Sequence, residues 1–544
     1  MRKKMSPSAK RRAARPKKGW RPALSWKKRL TAAALGRRRP KPRQQPSTKY
    51  EAVIRELAGY QRELCAEELA VRSGLKDGSE TTAITARYAD LFVPRHIRTI
   101  REIGEHFPAP SFKERHQRTA WALVEGRLDR KLAVQNDAIA VIKSGGKIVV
   151  DGRTIPFFDV TPLLCAETDP QKRQRLWEAW LAFVEDRLNP ALRKRTRELL
   201  KNLRRQGFET ERDMAQQKTG VDYDALEAKL HLLAAETDAV YLFVMRSTVR
   251  KTLGLKFPGL SQAHQACLRS MREFAELFPA DRLNPVCEAT FRGLGLDLAA
   301  TPNLRVDTEY RPKKDPRAFC QPVDPPKEVH LVTKPVGGIQ DYAMFLHEAG
   351  HAWYYACVRP ELPYEYRALP RSLALTETFA FLFEHLLQNE RWLVKTAGLD
   401  PEAAAAVARR QKIANLALIR RYIGKLTYEL EMNRHPADDV RNRGFYKAIL
   451  TAYTGMAYDD AAYLADTDAG LYSADYLRAW IAEAQLSRYL AGTYGEEWFG
   501  SPAAGAFLRS LWANGDSWSC EDMILSLGLR AWDASALLRR FADL

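Results

Sequence analysis

The chain has 544 residues, 46% apolar and 28% charged, a composition ordinary for a globular protein and incompatible with a wholly disordered or fibrous one. No stretch approaches the ~18 uninterrupted apolar residues of a membrane-spanning helix, so no span is expected. The formal charge of +20 is concentrated at one end: residues 1–48 hold 18 Lys or Arg and no Asp or Glu, which leaves 68 basic and 66 acidic residues for 49–544.

Residues 1–48 also carry six prolines and two tryptophans. Such a segment buries too little apolar area to offset its ordering entropy, and a disordered tail is expected. Three roles are open to it: a solvated extension, a non-specific contact to nucleic acid or an anionic surface, or an organelle targeting leader. A secretory signal is not among them, because Leu30–Leu35 is too short an apolar core and Arg37, Arg38 and Arg39 follow it. The seven cysteines, Cys65, Cys165, Cys267, Cys287, Cys320, Cys357 and Cys520, are scattered and odd in number. They read as reduced thiols in a cytoplasmic compartment rather than as a disulfide framework or a cysteine zinc site.

From Lys49 onward helical periodicity dominates. Val53, Ile54, Leu57, Tyr60 and Leu64 recur at three- and four-residue steps across 50–69. Similar patterns run through 171–203, 223–249, 402–433 and 474–490. Strand signals are few. Lys147–Ile155 reads as a hairpin turning at Asp151-Gly152. Val329–Lys334 alternates and stops at Pro335, which predicts a short strand suited to a sheet edge, available for pairing with an extended peptide. The Pro-rich, charged segment 312–326 is expected to be loop. The expected divisions are a basic tail at 1–48, a helical lobe at 49–290, a catalytic lobe at 291–495, and C-terminal helices at 496–544.

The informative stretch is Asp341-Tyr342-Ala343-Met344-Phe345-Leu346-His347-Glu348-Ala349-Gly350-His351. Asp341 suits a helix N-cap and no breaker follows, so the His-Glu-x-x-His motif falls inside a helix. On a helix, His347 and His351 stand one turn apart on one face, a spacing at which both imidazoles can hold one zinc ion at ~2.0–2.1 Å. Glu348 then reaches a water on the metal without binding the metal itself. The alternative is a helix with two histidines on a polar face. Isolated histidines such as His264 and His435 are read as surface or satisfied core residues.

Zinc needs a third protein ligand and one position for water. The pattern with a third His six residues on is excluded, because it needs Gly at 354 and His at 357 and the sequence has Tyr354 and Cys357. Cys357 is a weak candidate, since thiolate ligands suppress the acidity of bound water. The better one is Glu377, on a predicted helix that begins after Pro370-Arg371-Ser372 and continues to Leu387. Its neighbours are apolar, where an ionised carboxylate is costly unless paired or bound to a cation. A plain surface carboxylate is the competing reading. Glu384, two turns beyond, and His385 read either as ordinary surface groups or as partners that orient the ligands.

At these residues the chain resembles the thimet oligopeptidase/oligoendopeptidase family of zinc metallopeptidases, whose pattern is His-Glu-x-Gly-His followed roughly 25 residues later by Glu. His347, Glu348, Gly350, His351 and Glu377 match it. Arg317–Cys320, Gly337-Gly338, and the tyrosine-bearing segment Leu471–Leu477 are similar to that family's surrounding features. The resemblance covers about 300–495. It implies a mainly α, elongated multi-helix zincin-like fold with a small β-sheet beside the active-site helix and a deep cleft between helical lobes. It also implies hydrolysis of short peptides, one Zn²⁺ per chain held by His347, His351 and Glu377, Glu348 as general base, and Tyr472 and Tyr476 as donors lining the cleft. The sequence departs from the pattern at Thr467, where that family carries His, and at Ala479, where it carries an aromatic residue. A dipeptidyl carboxypeptidase and a non-catalytic, nucleic-acid-tethered protein are the alternatives. The donor set alone also suits other first-row divalent ions.

Overall fold

The periodic stretches form helices, usually a few residues longer than the apolar pattern. The protein is described by a computed structural model at residues 48–106 and 109–544, so the expectations for the basic tail fall, Thr48 apart, outside the described residues. The first long helix, α1, spans Thr48–Arg72, and α2 spans Pro110–Ser144. The hairpin forms as expected: β1 (Lys147–Val150) pairs antiparallel with β2 (Arg153–Pro156) across Asp151 and Gly152, both at positive φ. Stretch 171–203 becomes two helices, Pro170–Phe183 and Asn189–Arg204, joined by a π-helical turn. Helix α3 spans Tyr223–Leu253.

The principal sheet has three strands: β3 (Leu304–Asp307), β4 (Phe319–Asp324) and β5 (Glu328–Val332). Two sequence expectations are corrected here. The stretch expected to be an edge strand is β5, and it is central: it pairs parallel with β3 on one side and antiparallel with β4 on the other, so its backbone is spent within the sheet. Segment 312–326 is also not all loop, because it contains β4. Phe319, Gln321 and Val323 alternate inward, a burial pattern masked in sequence by the neighbouring Pro322 and Asp324. Pro322 is tolerated because β4 lies at the sheet edge, where a missing N–H breaks no essential ladder bond.

Helix α4 (Ile339–Ala356) packs against this sheet and against α5 (Ala374–Glu384); α6 (Pro401–Arg434) and α7 (Tyr472–Tyr494) follow. Asp341 is not the N-cap of α4. It lies within the first turn and folds back to accept from the N–H groups of Val336 and Gly337 at 2.8 and 2.9 Å, which ties the incoming loop to the helix. Helix α5 ends at Glu384, before Leu387, and tightens into a 3₁₀ turn over His385–Gln388.

Residues 374–383 of helix α5 are all buried, as befits a helix inside a core, with Thr376, Glu377 and Thr378 as its buried polar residues. Phe379 and Phe383 join one apolar cluster with Leu346, Trp353 and Trp512, whereas Phe381 joins a second with Ile423 and Trp480. The residues from Ala52 to Leu544 form one compact unit. No helix among the described residues is long and apolar enough to cross a membrane.

Candidate metal centre

Helices α4 and α5 approach closely because Gly350 has no side chain. A Cβ there would lie 2.6 Å from both the Ala380 Cα and the Phe379 carbonyl oxygen. This contact brings Glu377 opposite His347 and His351. The three side chains offer ligand atoms within 4.8 Å of one another. Nε2 of His347 lies 3.3 Å from Glu377 Oε2, and Nε2 of His351 lies 3.6 Å from Oε1.

The outer nitrogens are both engaged. Nδ1 of His347 bonds Glu384 at 2.8 Å, and Nδ1 of His351 bonds the Thr376 hydroxyl at 2.7 Å. A carboxylate only accepts, so His347 carries its proton on Nδ1 and its Nε2 lone pair is turned inward. Glu377 is 3% exposed, and its Oε2 has no hydrogen-bond partner. A lone pair and a buried carboxylate oxygen facing each other at 3.3 Å repel unless a proton or a cation lies between them. The donor set therefore fits a divalent cation with two nitrogen ligands and one oxygen ligand.

The charges on Glu377 and His351 agree with that assignment. Burial works against ionising Glu377, but His351 and His347 and the Tyr472 hydroxyl outweigh it and hold the carboxyl below its usual range. Burial, reinforced by His347, lowers the pKa of His351 and keeps it neutral, the form that ligates. Burial also disfavours charge on His347, yet Glu377 and Glu384 reverse this and raise its pKa well above the ordinary value, so a cation binding there would have to displace the proton that Nε2 otherwise shares with Glu377.

Glu348 faces the sheet, where its Oε2 accepts from the Cys320 N–H of β4 at 2.8 Å. Tyr472, at the start of α7, donates its hydroxyl to Glu377 Oε1. The Tyr476 ring packs on Tyr472 at 4.6 Å between centroids, and also touches Tyr422, Phe381 and Trp480. Burial, then Glu377, pushes both phenols far above the ordinary range, so both remain donors. Helix α7 also anchors α5. Asp475 accepts from the Ser372 hydroxyl at 2.7 Å and the Leu373 N–H at 2.8 Å, capping the α5 N-terminus, and Arg478 bonds Asp475 at 2.8 Å.

Of the residues read from sequence, His347, His351 and Glu377 converge, Glu348 and Tyr472 lie beside them, and Tyr476 lies one turn behind Tyr472. Glu384 contacts a candidate ligand; His385 does not, and instead bonds Glu483 at 2.7 Å. Cys357 ends α4 and lies outside the cluster. Thr467 turns its hydroxyl to the Leu464 carbonyl, and Ala479 is buried. Thr376 is not among the residues read from sequence, and Cys320 enters there only as the end of the stretch Arg317–Cys320. Thr376 directly precedes Glu377, a signal the sequence does carry; the resemblance marks the stretch ending at Cys320, but the bond from its N–H to Glu348 crosses 28 residues and is not legible locally.

A cavity of about 920 Å³ is lined by α1, α2, the end of β4 and the start of α7, with Tyr472 and Tyr355 among its residues. Fold and site together describe a mainly helical chain with a small sheet and a two-His, one-Glu candidate metal centre beside a large cavity. This chain is similar to a solved structure described as PZ peptidase A with inhibitor 2, with a TM-score of 0.63 at 14% sequence identity over 90% of each chain. That likeness is one of fold. No protein-family model matches the sequence, and a search of curated proteins returns no match.

Proposed function

We propose that this protein is a zinc-dependent metalloendopeptidase that hydrolyses short peptides. The observation that carries the reading is the convergence of the His347, His351 and Glu377 ligand atoms with Glu348 beside them. The shared fold with a structure described as a peptidase bound to an inhibitor supports it. So do the motif and spacing read from the sequence.

His347, His351 and Glu377 would hold a divalent ion, which when bound would supply Lewis acidity and acidify a water. Glu348 would serve as the general base and then as the proton donor to the leaving amine, and its bond to the Cys320 N–H holds the carboxylate in place for that role. Glu384 and Thr376 hold the two imidazoles with Nε2 inward. Tyr476, and Tyr472 once released from Glu377, donate to the oxygen that gains charge at the scissile carbonyl. Strand β4, at the sheet edge with Pro322, Val323 and Asp324 lining the cavity, takes the place of β5 as the strand beside an extended peptide; Pro322 has no N–H and the Cys320 N–H is held by Glu348, so what it offers there is acceptors and side chains.

The test is zinc content measured alongside cleavage of an internally quenched peptide blocked at its C-terminus. Glu348→Gln is expected to retain zinc and to lose roughly 10²–10⁴-fold in turnover. Retained turnover rejects the base assignment. Cleavage only of unblocked peptides, two residues from the end, transfers the assignment to a dipeptidyl carboxypeptidase. Wild-type protein with neither zinc nor cleavage returns the chain to a non-catalytic role.

A further inference from the structure

Arg173, on the helix Pro170–Phe183, is 1% exposed. Its Nε donates to Nδ1 of His264 at 3.0 Å and its Nη1 to the Glu167 carbonyl at 2.7 Å, while Nη2 has no partner. Neither acceptor is an anion. His264 must present a lone pair at Nδ1, and burial together with Arg173 lowers its pKa to about 4, so it stays neutral. A guanidinium cannot shed its proton. Arg173 is therefore a buried cation held only by neutral acceptors, an arrangement that is costly unless an anion completes it.

Arg173 lines a groove of about 860 Å³ that shares no lining residue with the cavity beside the candidate metal centre. Lys251, Arg272, Arg409 and Arg410 line it too, and Glu273 is the one acid among its lining residues. That acid is already taken by Arg410 at 3.1 Å. Arg409 is turned to the main-chain oxygens of Asp543 and Leu544. Lys251 and Arg272 are exposed and belong to no ion pair among the described residues; one Arg272 nitrogen donates to the Ala166 carbonyl. Ser247 stands one helical turn before Lys251 on the same face of α3 and adds a hydroxyl. The groove has the volume of a small-molecule site. Guanidinium forks with a nearby ammonium and hydroxyl match the several acceptor oxygens of a phosphoryl group.

We propose that this groove binds a small molecule carrying a di- or triphosphate, seated on Arg173 and flanked by Lys251 and Arg272. The site is independent of the peptidase reading.

The full-length protein titrated calorimetrically with inorganic pyrophosphate at constant ionic strength tests this. One saturable site is expected. Replacing the rim side chains together, Lys251→Ala with Arg272→Ala, is expected to weaken it roughly tenfold or more, and Arg173→Met to abolish it. The basic tail is common to all variants, so its contribution cancels in the comparison. The rim pair removes only exposed side chains and decides the matter even if Arg173→Met fails to fold. Equal pyrophosphate affinity in wild type and the rim variant, or no saturable site in wild type, overturns the proposal. Citrate binding as tightly as pyrophosphate overturns its assignment to phosphate.

Discussion

Glu384 accepts the Nδ1 proton of His347 at 2.8 Å, reaching from the last turn of α5 back to the middle of α4. The bond fixes the imidazole tautomer and points Nε2 at Glu377. Glu384→Gln keeps the shape but exchanges a charged acceptor for a neutral one. Zinc affinity is expected to fall roughly 10–100-fold, measured by competition with a chromophoric chelator. An unchanged affinity removes Glu384 from the centre.

Gly350 sets the separation of α4 and α5. In Gly350→Ala the new methyl meets backbone atoms of Phe379 and Ala380, which cannot swing aside as a flexible side chain can. The expected destabilisation is about 1–3 kcal/mol by denaturant titration, as for overpacking elsewhere, and zinc occupancy should fall with it as Glu377 is displaced. A variant with wild-type stability and full zinc would show that the helices part without disturbing the donors.

The two tyrosines are expected to separate by readout. Tyr472→Phe removes the hydroxyl on Glu377, so zinc affinity and turnover should fall together. Tyr476→Phe leaves the three candidate ligands untouched. Its turnover is expected to drop roughly 10²–10³-fold with KM and zinc content little changed, the pattern of a donor used in the transition state. Wild-type kinetics in Tyr476→Phe moves the donor elsewhere.

Glu483 of α7 is buried at 0% exposure and joins two elements: His385 bonds it at 2.7 Å, and Arg540 of the C-terminal helix grips it at 2.7 and 2.8 Å. Burial opposes its ionisation, but Arg540 and His385 outweigh this and bring its pKa down to about 2. The folded value lies below the unfolded one, so between these two values the unfolded chain binds the extra proton. The stabilisation, on the order of 3 kcal/mol, is complete at neutral pH, declines as pH falls below about 4.5, and is gone near 2. Glu483→Gln strands Arg540 and is expected to cost about 3–5 kcal/mol at neutral pH, with a flatter dependence of stability on pH in that acid window. Parallel acid-unfolding curves for the two proteins would remove Glu483 as a source of acid sensitivity.

The amino-acid order by itself determined what lies within a turn or two of chain. Apolar recurrence marked α1, α3, α6 and α7 to within a few residues. Asp151-Gly152 marked the hairpin, because Asp-Gly suits a tight two-residue turn with positive φ at both positions. The four-residue step placed His347 and His351 on one face, and the apolar run around Glu377 marked that carboxylate as needing a partner. Tertiary structure alone decided the pairings that cross long stretches of chain. Strand β3, 25 residues upstream of β5, turned an expected edge into a sheet centre, and the alternation of β4 was hidden behind Pro322. Glu384 and His385 are adjacent in sequence, yet one reaches His347 and the other Glu483, because successive residues at the end of α5 face different packed helices. Arg173 and His264 are 91 residues apart, and nothing in either segment foretells their contact. Periodicity is a property of the local backbone, whereas the partner of a buried charge is set by which distant helix the core brings against it.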